Sequence, residues 1–130
     1  MSEMGAWVVD PVTQEEILVP PSRTADEAIT RAAKLRDGEL TVVRILPEHT
    51  VRWPLWIAEE GPVEPGTLGV SAGLAERLAE WSARWECRAM SGWLSADEAA
   101  GWFADGQMLA DLLQDELWEF AEVRREFWGE

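Results

Sequence analysis

The sequence predicts one α+β domain, in which a small sheet packs against three helices. Three observations lead to this prediction: two short β-prone runs near the start, an almost continuously apolar run at residues 40–46, and two long helical periodicities in the second half. The chain has 130 residues, 47% of them apolar, which suffices for one hydrophobic core. We expect residues 1–130 to comprise a ββαβ part over 1–47, a packed connection over 48–70 and a helical part over 71–130.

A β-hairpin is predicted for the first twenty residues. Residues 6–9 and 16–19 are short β-prone runs, and the segment between them starts with Asp10 and a proline, which favours a turn. Pro20 ends the second run, because proline has no N–H to donate to a neighbouring strand. These signals together predict two antiparallel strands.

A helix and a third strand are predicted after the hairpin. Thr24 is a suitable N-cap and Glu27 lies three residues later, which predicts a capping box and a helix over about 25–36. Residues 40–46 give the clearest strand signal in the chain. Their nearly continuous apolar character favours a central position in the sheet, and Pro47 closes the strand.

Residues 48–70 are punctuated by proline and glycine, which predicts a connection without long elements. Trp53 and Trp56 make this stretch too apolar to be a free linker. We therefore expect both indoles to pack on the core. A short strand could form on either side of Pro54.

Two amphipathic helices are predicted in the second half. Ser71 and Ser95 are suitable N-caps, and the apolar residues after them recur at helical spacing, which predicts helices over about 72–88 and 96–120. The apolar stripe of the second of these helices comprises Ala99, Trp102, Phe103, Gly106, Leu109, Ala110, Leu113, Leu117 and Phe120. Residues 122–128 alternate enough to predict a last strand, although a continuing helix also fits them.

Charge and composition argue against several classes of function. The 25 acidic and 11 basic residues give a net charge of −14, which disfavours direct binding to nucleic acid or to an anionic membrane. One histidine, His49, and one cysteine, Cys87, make no zinc set, so we expect no metal and no cofactor. His49 lies in a predicted loop and Cys87 is expected in the core, so neither suggests a nucleophilic site. The absence of a basic leader and of a long apolar run predicts a cytoplasmic protein.

The predicted third helix carries a one-sided charge. Between Ser95 and Glu122 there is no base, and the eight acids are Asp97, Glu98, Asp105, Asp111, Asp115, Glu116, Glu119 and Glu122. They project opposite the apolar stripe, where like charges one turn apart repel each other. Mutual repulsion would raise the pKa values of these carboxyl groups. Two interpretations remain open: a solvated face, and a surface for a basic partner.

Met108 and Leu112 lie one turn apart and project into this acidic side of the helix. An apolar pair surrounded by carboxylates resembles a small interface anchor with a charged rim. A helix buried on two sides would explain the pair equally well. The candidate partner-binding residues are Asp105, Met108, Asp111, Leu112, Asp115, Glu116 and Glu119.

A resemblance to known proteins covers roughly residues 52–120 and rests on apolar and tryptophan spacing. It is carried by Pro54-Leu55-Trp56, Leu68-Gly69-Val70-Ser71, Leu74, Leu78, Trp81, Trp85-Glu86, Trp102, Gly106, Leu109, Leu113 and Leu117. This pattern resembles small acidic, tryptophan-rich proteins of actinobacteria and their phages, some of which act as immunity or inhibitor proteins. The resemblance implies a binding role and no particular site residues.

The sequence therefore favours a non-catalytic acidic binding protein of the immunity or inhibitor type. Such a protein would use its acidic third helix to block a basic partner: a toxin, a nuclease or another nucleic-acid-binding protein. Two alternatives remain. A tryptophan-rich interaction module would form a homodimer, which concentration-dependent mass in solution would reveal. An enzyme that depends on a carboxylate cluster would show a pocket with converging acids.

Overall fold

The structure, a computed structural model, describes residues 6–127 of the chain. These residues form two compact units, one up to Leu40 and one from Thr41 onward. Helices alternate irregularly with short strands, and the strands pair both antiparallel and parallel. The predicted α+β class is confirmed.

The first unit is a hairpin with one helix. Strand β1 (Ala6–Val9) pairs antiparallel with β2 (Glu16–Val19), and helix α1 (Ala25–Arg36) packs on both strands. The predicted capping box is present, because the Glu27 N–H donates to Thr24 Oγ1 and the Thr24 N–H donates to the Glu27 carboxylate. All three elements have the predicted bounds.

A buried carboxylate holds the turn of this hairpin. Asp10 is only 2% exposed, and its Oδ1 accepts the N–H of Val12 at 2.8 Å. Its Oδ2 lies 2.7 Å from the guanidinium of Arg36, at the end of α1. The Val12 N–H lowers the pKa of Asp10 below its usual value, and Arg36 adds to the effect. This ion pair ties the hairpin turn to the C-terminal end of α1.

The second unit is built on a four-stranded sheet in the order β5–β4–β3–β6. Strand β3 (Thr41–Ile45) pairs parallel with β6 (Ala121–Arg125) and antiparallel with β4 (Leu55–Ile57), and β5 (Gly61–Pro62) lies beyond β4. Strand β3 is therefore internal, as its apolar run predicts.

The composition of the sheet corrects two predictions. The N-terminal hairpin was expected in the same sheet as β3 but forms a sheet of its own, and β4 and β5 occupy one side of β3. The last strand was predicted over 122–128 and spans 121–125. It ends there because Arg125 is paired with Ile45, the last residue of β3. Residue Trp128 of the predicted strand lies outside the described residues.

The described residues contain four helices where three were predicted. The additional helix, α2 (Pro65–Leu68), is a single turn within the connection. Helices α3 (Ala72–Ala89) and α4 (Ala96–Glu116) begin directly after the predicted N-caps. Helix α4 was expected to reach residue 120 but ends four residues earlier, because Leu117 leaves helical geometry at φ −101° and ψ 18°. Leu117 is nevertheless fully buried, so the helical spacing of apolar residues continues beyond the end of the helix.

Two tryptophan side chains of the connection between β3 and α3 donate hydrogen bonds to backbone carbonyls. The indole N–H of Trp53 donates to the carbonyl of Ala75 at 3.0 Å, and that of Trp56 donates to Leu46 at 2.8 Å. Trp53 also contacts the hydrophobic core of the second unit. That core includes side chains of the sheet and of helices α3 and α4, among them the fully buried Leu55. Strand β4 begins directly after Pro54, where a short strand was considered.

Candidate functional site

The seven candidate partner-binding residues lie on α4 and in the turn that follows it. Asp105 is half-buried, and the other six, Met108, Asp111, Leu112, Asp115, Glu116 and Glu119, are exposed. The buried face of α4 consists of Trp102, Gly106, Leu109, Ala110 and Leu113. The structure therefore places the candidates off the core face, where the helical projection put them.

Met108 and Leu112 are exposed apolar side chains on the outer side of α4. Their exposed fractions are 45% and 38%, so the alternative of a helix buried on two sides does not hold. Asp115 lies at the same helical position one turn further on, and Glu119 follows in the turn after the helix. We call Met108, Leu112, Asp115 and Glu119 the outer stripe of α4.

Other residues of α4 contact the last strand, β6, through hydrogen bonds and an ion pair. The Gln114 amide donates to the carbonyl of Ala121 at 3.0 Å and accepts the N–H of Val123 at 2.9 Å. Asp111 forms an ion pair with Arg125, which also donates to the side chain of Gln107. The Gln114 contacts satisfy backbone groups of an edge strand that would otherwise be open to pairing with another chain. Asp111 thus has a structural partner within the chain.

Glu116 stabilises the start of α3. Its Oε1 accepts the backbone N–H of Ser71 at 2.8 Å, and its Oε2 accepts the Ser71 hydroxyl at 2.7 Å. Ser71 is the N-cap of α3 and accepts the N–H of Leu74. Because both oxygens of Glu116 are engaged, this carboxylate positions the N-cap of α3.

Asp105 lies on the side of α4 that faces α3. Its carboxylate is 2.7 Å from the guanidinium of Arg84, and Arg77 Nη2 lies 3.9 Å from the sulfur of Met108. The two helices enclose a groove of about 330 Å³, lined by Arg77, Glu80, Trp81, Arg84, Asp105, Met108 and Leu109. The side of α4 that faces α3 is therefore bordered by both positive and negative side chains.

The sequence-based list missed the α3 side of this groove. Arg77, Glu80 and Arg84 follow one another at spacings of three and four residues, so they share one face of α3. That spacing is visible in the sequence. The packing of this face against α4 is not, because it depends on the crossing of two helices.

The pKa of Glu98, near the start of α4, is shifted in the opposite direction to the one that mutual repulsion predicts. The N–H of Leu94, which donates to Glu98 at 2.6 Å, lowers the pKa of Glu98, and the ion pair with Arg88 lowers it further. The expected rise in carboxyl pKa is wrong for Glu98, because arginines from neighbouring elements and cap N–H groups approach the acids of α4. Helix α4 itself supplies none of these cations.

The two residues considered for nucleophilic chemistry lie outside the outer stripe of α4, one in the loop after β3 and the other on α3. His49 is exposed in a loop, with its ring 4.9 Å from that of Trp85 and its Nδ1 3.9 Å from the carboxylate of Glu86. Cys87 is exposed, so its predicted place in the core is wrong. Within residues 6–127 no group of three or more potential metal ligands comes together. No helix in that range is long and apolar enough to cross a membrane.

Comparison with known proteins identifies the family to which this chain belongs. Residues 41–125, about two thirds of the chain, match the model of a family described as Serratia CdiI immunity protein-like. The chain belongs to this family. No curated protein matches it.

The CdiI immunity protein-like match coincides with the second unit, from the start of β3 to the end of β6. It therefore includes α3, α4 and the groove between them, while β1, β2 and α1 precede it. The expected relation to immunity proteins is confirmed at the level of the family. The comparison gives no support to the actinobacterial and phage proteins that the sequence resembled.

Proposed function

We propose that this chain is an immunity protein of contact-dependent inhibition, which neutralises a toxin by binding it and catalyses no reaction. The observation that carries the proposal is the family match across residues 41–125. Those residues include the α4 surface described above.

The outer stripe of α4 is the proposed contact surface. Met108 and Leu112 supply apolar area that a partner can bury, and Asp115 and Glu119 supply negative charge beside it. Residues 59–130 contain 16 acids and 5 bases, which leaves a net charge of −11 for that part of the chain. The negative electrostatic potential of this part of the chain attracts a basic partner and speeds its association.

The toxin that fits this surface carries a basic patch, as nucleases and other nucleic-acid-binding proteins do. Asp105 and Arg84 at the groove add a paired donor and acceptor beside Met108. A partner that offers only positive charge would be repelled by Arg77 at this groove. The positive and negative side chains at this groove would thus help the chain to select one basic protein over others.

The test uses a candidate toxin domain taken from the genome that encodes this chain. The two proteins are co-expressed, growth is followed, and affinity is measured by calorimetry. We expect the chain to restore growth and to bind at equimolar ratio, and we expect Met108→Ala with Leu112→Ala to weaken binding. Leu35→Ala, at an exposed leucine of α1, is the control and leaves binding unchanged. Binding without protection would contradict the neutralising role, and loss of binding in the control alone would contradict the assigned surface.

Self-association is a second candidate, because the first unit carries an exposed apolar pair. Trp7 and Leu18 lie opposite each other in the β1–β2 register and are 63% and 49% exposed. Aromatic side chains on an open sheet face are frequent anchors of homodimers. Light scattering over a range of concentrations tests this candidate. A mass that doubles at high concentration in the wild type, and stays monomeric in Trp7→Ser, supports a dimer through this face.

A further inference from the structure

The tryptophans of the second unit differ in how they use the indole N–H. Trp53, Trp56, Trp81 and Trp102 each donate it to a backbone carbonyl of the chain. Trp85 and Trp93 are half-buried and donate to no group in the part of the chain that the structure describes. Half-buried tryptophans with an unused polar edge are typical anchors of protein interfaces.

Trp85 and Trp93 line one cavity of the second unit. Its volume is about 410 Å³, and Trp102, Phe103 and Phe127 form the rest of its aromatic wall. Glu126 is the ionisable side chain among the residues that line it. The cavity is therefore an apolar, largely aromatic site with a carboxylate at one side.

Glu126 is only partly satisfied within the chain. Its Oε1 accepts both Nε and Nη2 of Arg44, at 2.8 and 2.6 Å. Its Oε2 accepts no hydrogen bond from the described residues, and the side chain is 33% exposed. One carboxylate oxygen thus remains available beside the indoles of Trp85 and Trp93.

We propose that this cavity receives an arginine side chain of the partner protein. The guanidinium would stack on an indole of Trp85 or Trp93 and donate to Glu126 Oε2, while its apolar stem lies against the aromatic wall. Tryptophan is the best aromatic partner of a cation, and the planar guanidinium stacks where an ammonium cannot. The charge of −14 on the chain favours a cationic guest.

Other side chains fit this chemistry less well. A purely apolar guest would remove water from Glu126 Oε2 without replacing its hydrogen bond, which costs binding free energy. An acidic guest would lie against Glu126. The proposal rests on the proposed toxin-binding function and adds a second contact to it, because the cavity is lined by the N-terminal part of α4 and not by the outer stripe.

The test titrates the chain with N-acetyl-arginine methylamide and follows the indole N–H resonances by ¹H–¹⁵N NMR. Concentrations up to about 100 mM are needed, since a single side chain bears the whole entropic cost of association. The isosteric but neutral citrulline derivative and the norleucine derivative are the matched probes. We expect saturable shifts of Trp85 and Trp93 with the arginine probe alone. Equal shifts with citrulline or norleucine, or no shift with arginine, overturn the proposal.

Variants separate the charge from the aromatic wall. Glu126→Gln keeps the shape and is expected to weaken arginine binding about tenfold, as expected for loss of a hydrogen bond to a charged group. Trp93→Leu is expected to abolish the shift of Trp85, and Leu35→Ala, at an exposed position of α1, is expected to change nothing. Spectra of each variant establish folding before titration. Retained arginine binding in Glu126→Gln would contradict the assigned role of that carboxylate.

The toxin complex distinguishes failure of this site from failure of the proposed function. If the toxin binds and Trp93→Leu leaves its dissociation rate unchanged, the cavity proposal is wrong while the immunity function stands. If the arginine probe binds and no toxin is neutralised, the cavity stands and the immunity function is wrong. We expect faster toxin dissociation in Trp93→Leu than in Leu35→Ala.

Discussion

Trp81 of α3 and Trp102 of α4 exchange hydrogen bonds: each indole N–H donates to the backbone carbonyl of the other residue at 2.9 Å. The two rings stack with centroids 4.3 Å apart and planes 5° apart, and the edge of Phe127 contacts both. Both indoles are buried, so neither carbonyl is open to water. This reciprocal pair fixes the spacing of α3 and α4, and thereby the groove and the outer stripe.

Replacing either indole by phenylalanine removes one buried hydrogen bond and part of the stacked ring area, while the carbonyl that loses the indole keeps its hydrogen bond within the helix. We expect Trp81→Phe and Trp102→Phe each to lower the free energy of unfolding by about 1–3 kcal/mol. Because the residues are in contact, the double variant should deviate from the sum of the two effects. Urea unfolding of the four proteins measures this. Trp7→Phe, at an exposed position, is the control and should lie within about 0.5 kcal/mol of the wild type.

Two glycines of α4 should respond to alanine with opposite signs. A Cβ at Gly106 would lie 2.7 Å from the ring of Trp81 and 2.8 Å from that of Phe127, so we expect a loss of about 1–3 kcal/mol. A Cβ at Gly101 would meet nothing within 4 Å, so the higher helix propensity of alanine should add up to about 1 kcal/mol. Thermal or urea unfolding compares them. Stabilisation by Gly106→Ala would show that the rings of Trp81 and Phe127 move aside freely.

The pKa of Glu98 predicts loss of stability in acid. The folded-state pKa is lowered, first by the Leu94 N–H and then by Arg88, from an ordinary value of 4.5. The stabilisation is therefore complete above about pH 5 and is lost as pH falls through the lowered pKa. We expect the melting temperature of the wild type to fall below about pH 5, and the gap between wild type and Glu98→Gln to narrow there. A gap that stays constant down to pH 3 would contradict the assignment.

The sequence predicted those parts of the fold that are decided locally. The capping box at Thr24, the N-cap at Ser95 and the two strands of the hairpin depend on residues a few positions apart, and the structure contains them. The second half of a capping box is missing at Ser95, because Glu98 accepts the N–H of Leu94 instead. The pairing of β3 with β6 joins residues about eighty positions apart, and no local pattern specifies it. The assignment of the hairpin to that sheet was wrong for this reason.

The sequence predicted which side of α4 bears the candidate residues, but it did not predict what each of these residues does. Helical projection correctly set Met108 and Leu112 apart from the core. It could not show that Asp111 pairs with Arg125 of β6, or that Glu116 caps α3 through Ser71. Those roles arise from the packing of elements that are distant in the sequence.

Truncation of the outer stripe should affect binding more than folding. Met108→Ala and Leu112→Ala remove exposed side chains, so we expect little change in unfolding and a faster dissociation of the toxin, by about 1–3 kcal/mol if the partner buries them. Leu109→Ala and Leu113→Ala, at buried positions of the same helix, are the controls and should cost about 2–5 kcal/mol of stability. Equal destabilisation by both pairs would show that the outer stripe has a structural role.

Charge reversal should act on the rate at which the toxin associates. Asp115→Lys with Glu119→Lys changes the net charge by four units beside Met108, and Glu59→Lys with Glu60→Lys makes the same change in the exposed turn between β4 and β5. If the outer stripe meets the basic partner, the first pair slows association much more than the second and flattens its dependence on salt, because charges at an interface rim mainly govern encounter. Stopped-flow mixing at several salt concentrations measures both. Equal slowing by the two pairs would mean that the total charge of the chain, and not the α4 surface, guides the encounter. Asp111 is left unchanged in this design, since its reversal would also break the ion pair with Arg125 that helps hold β6.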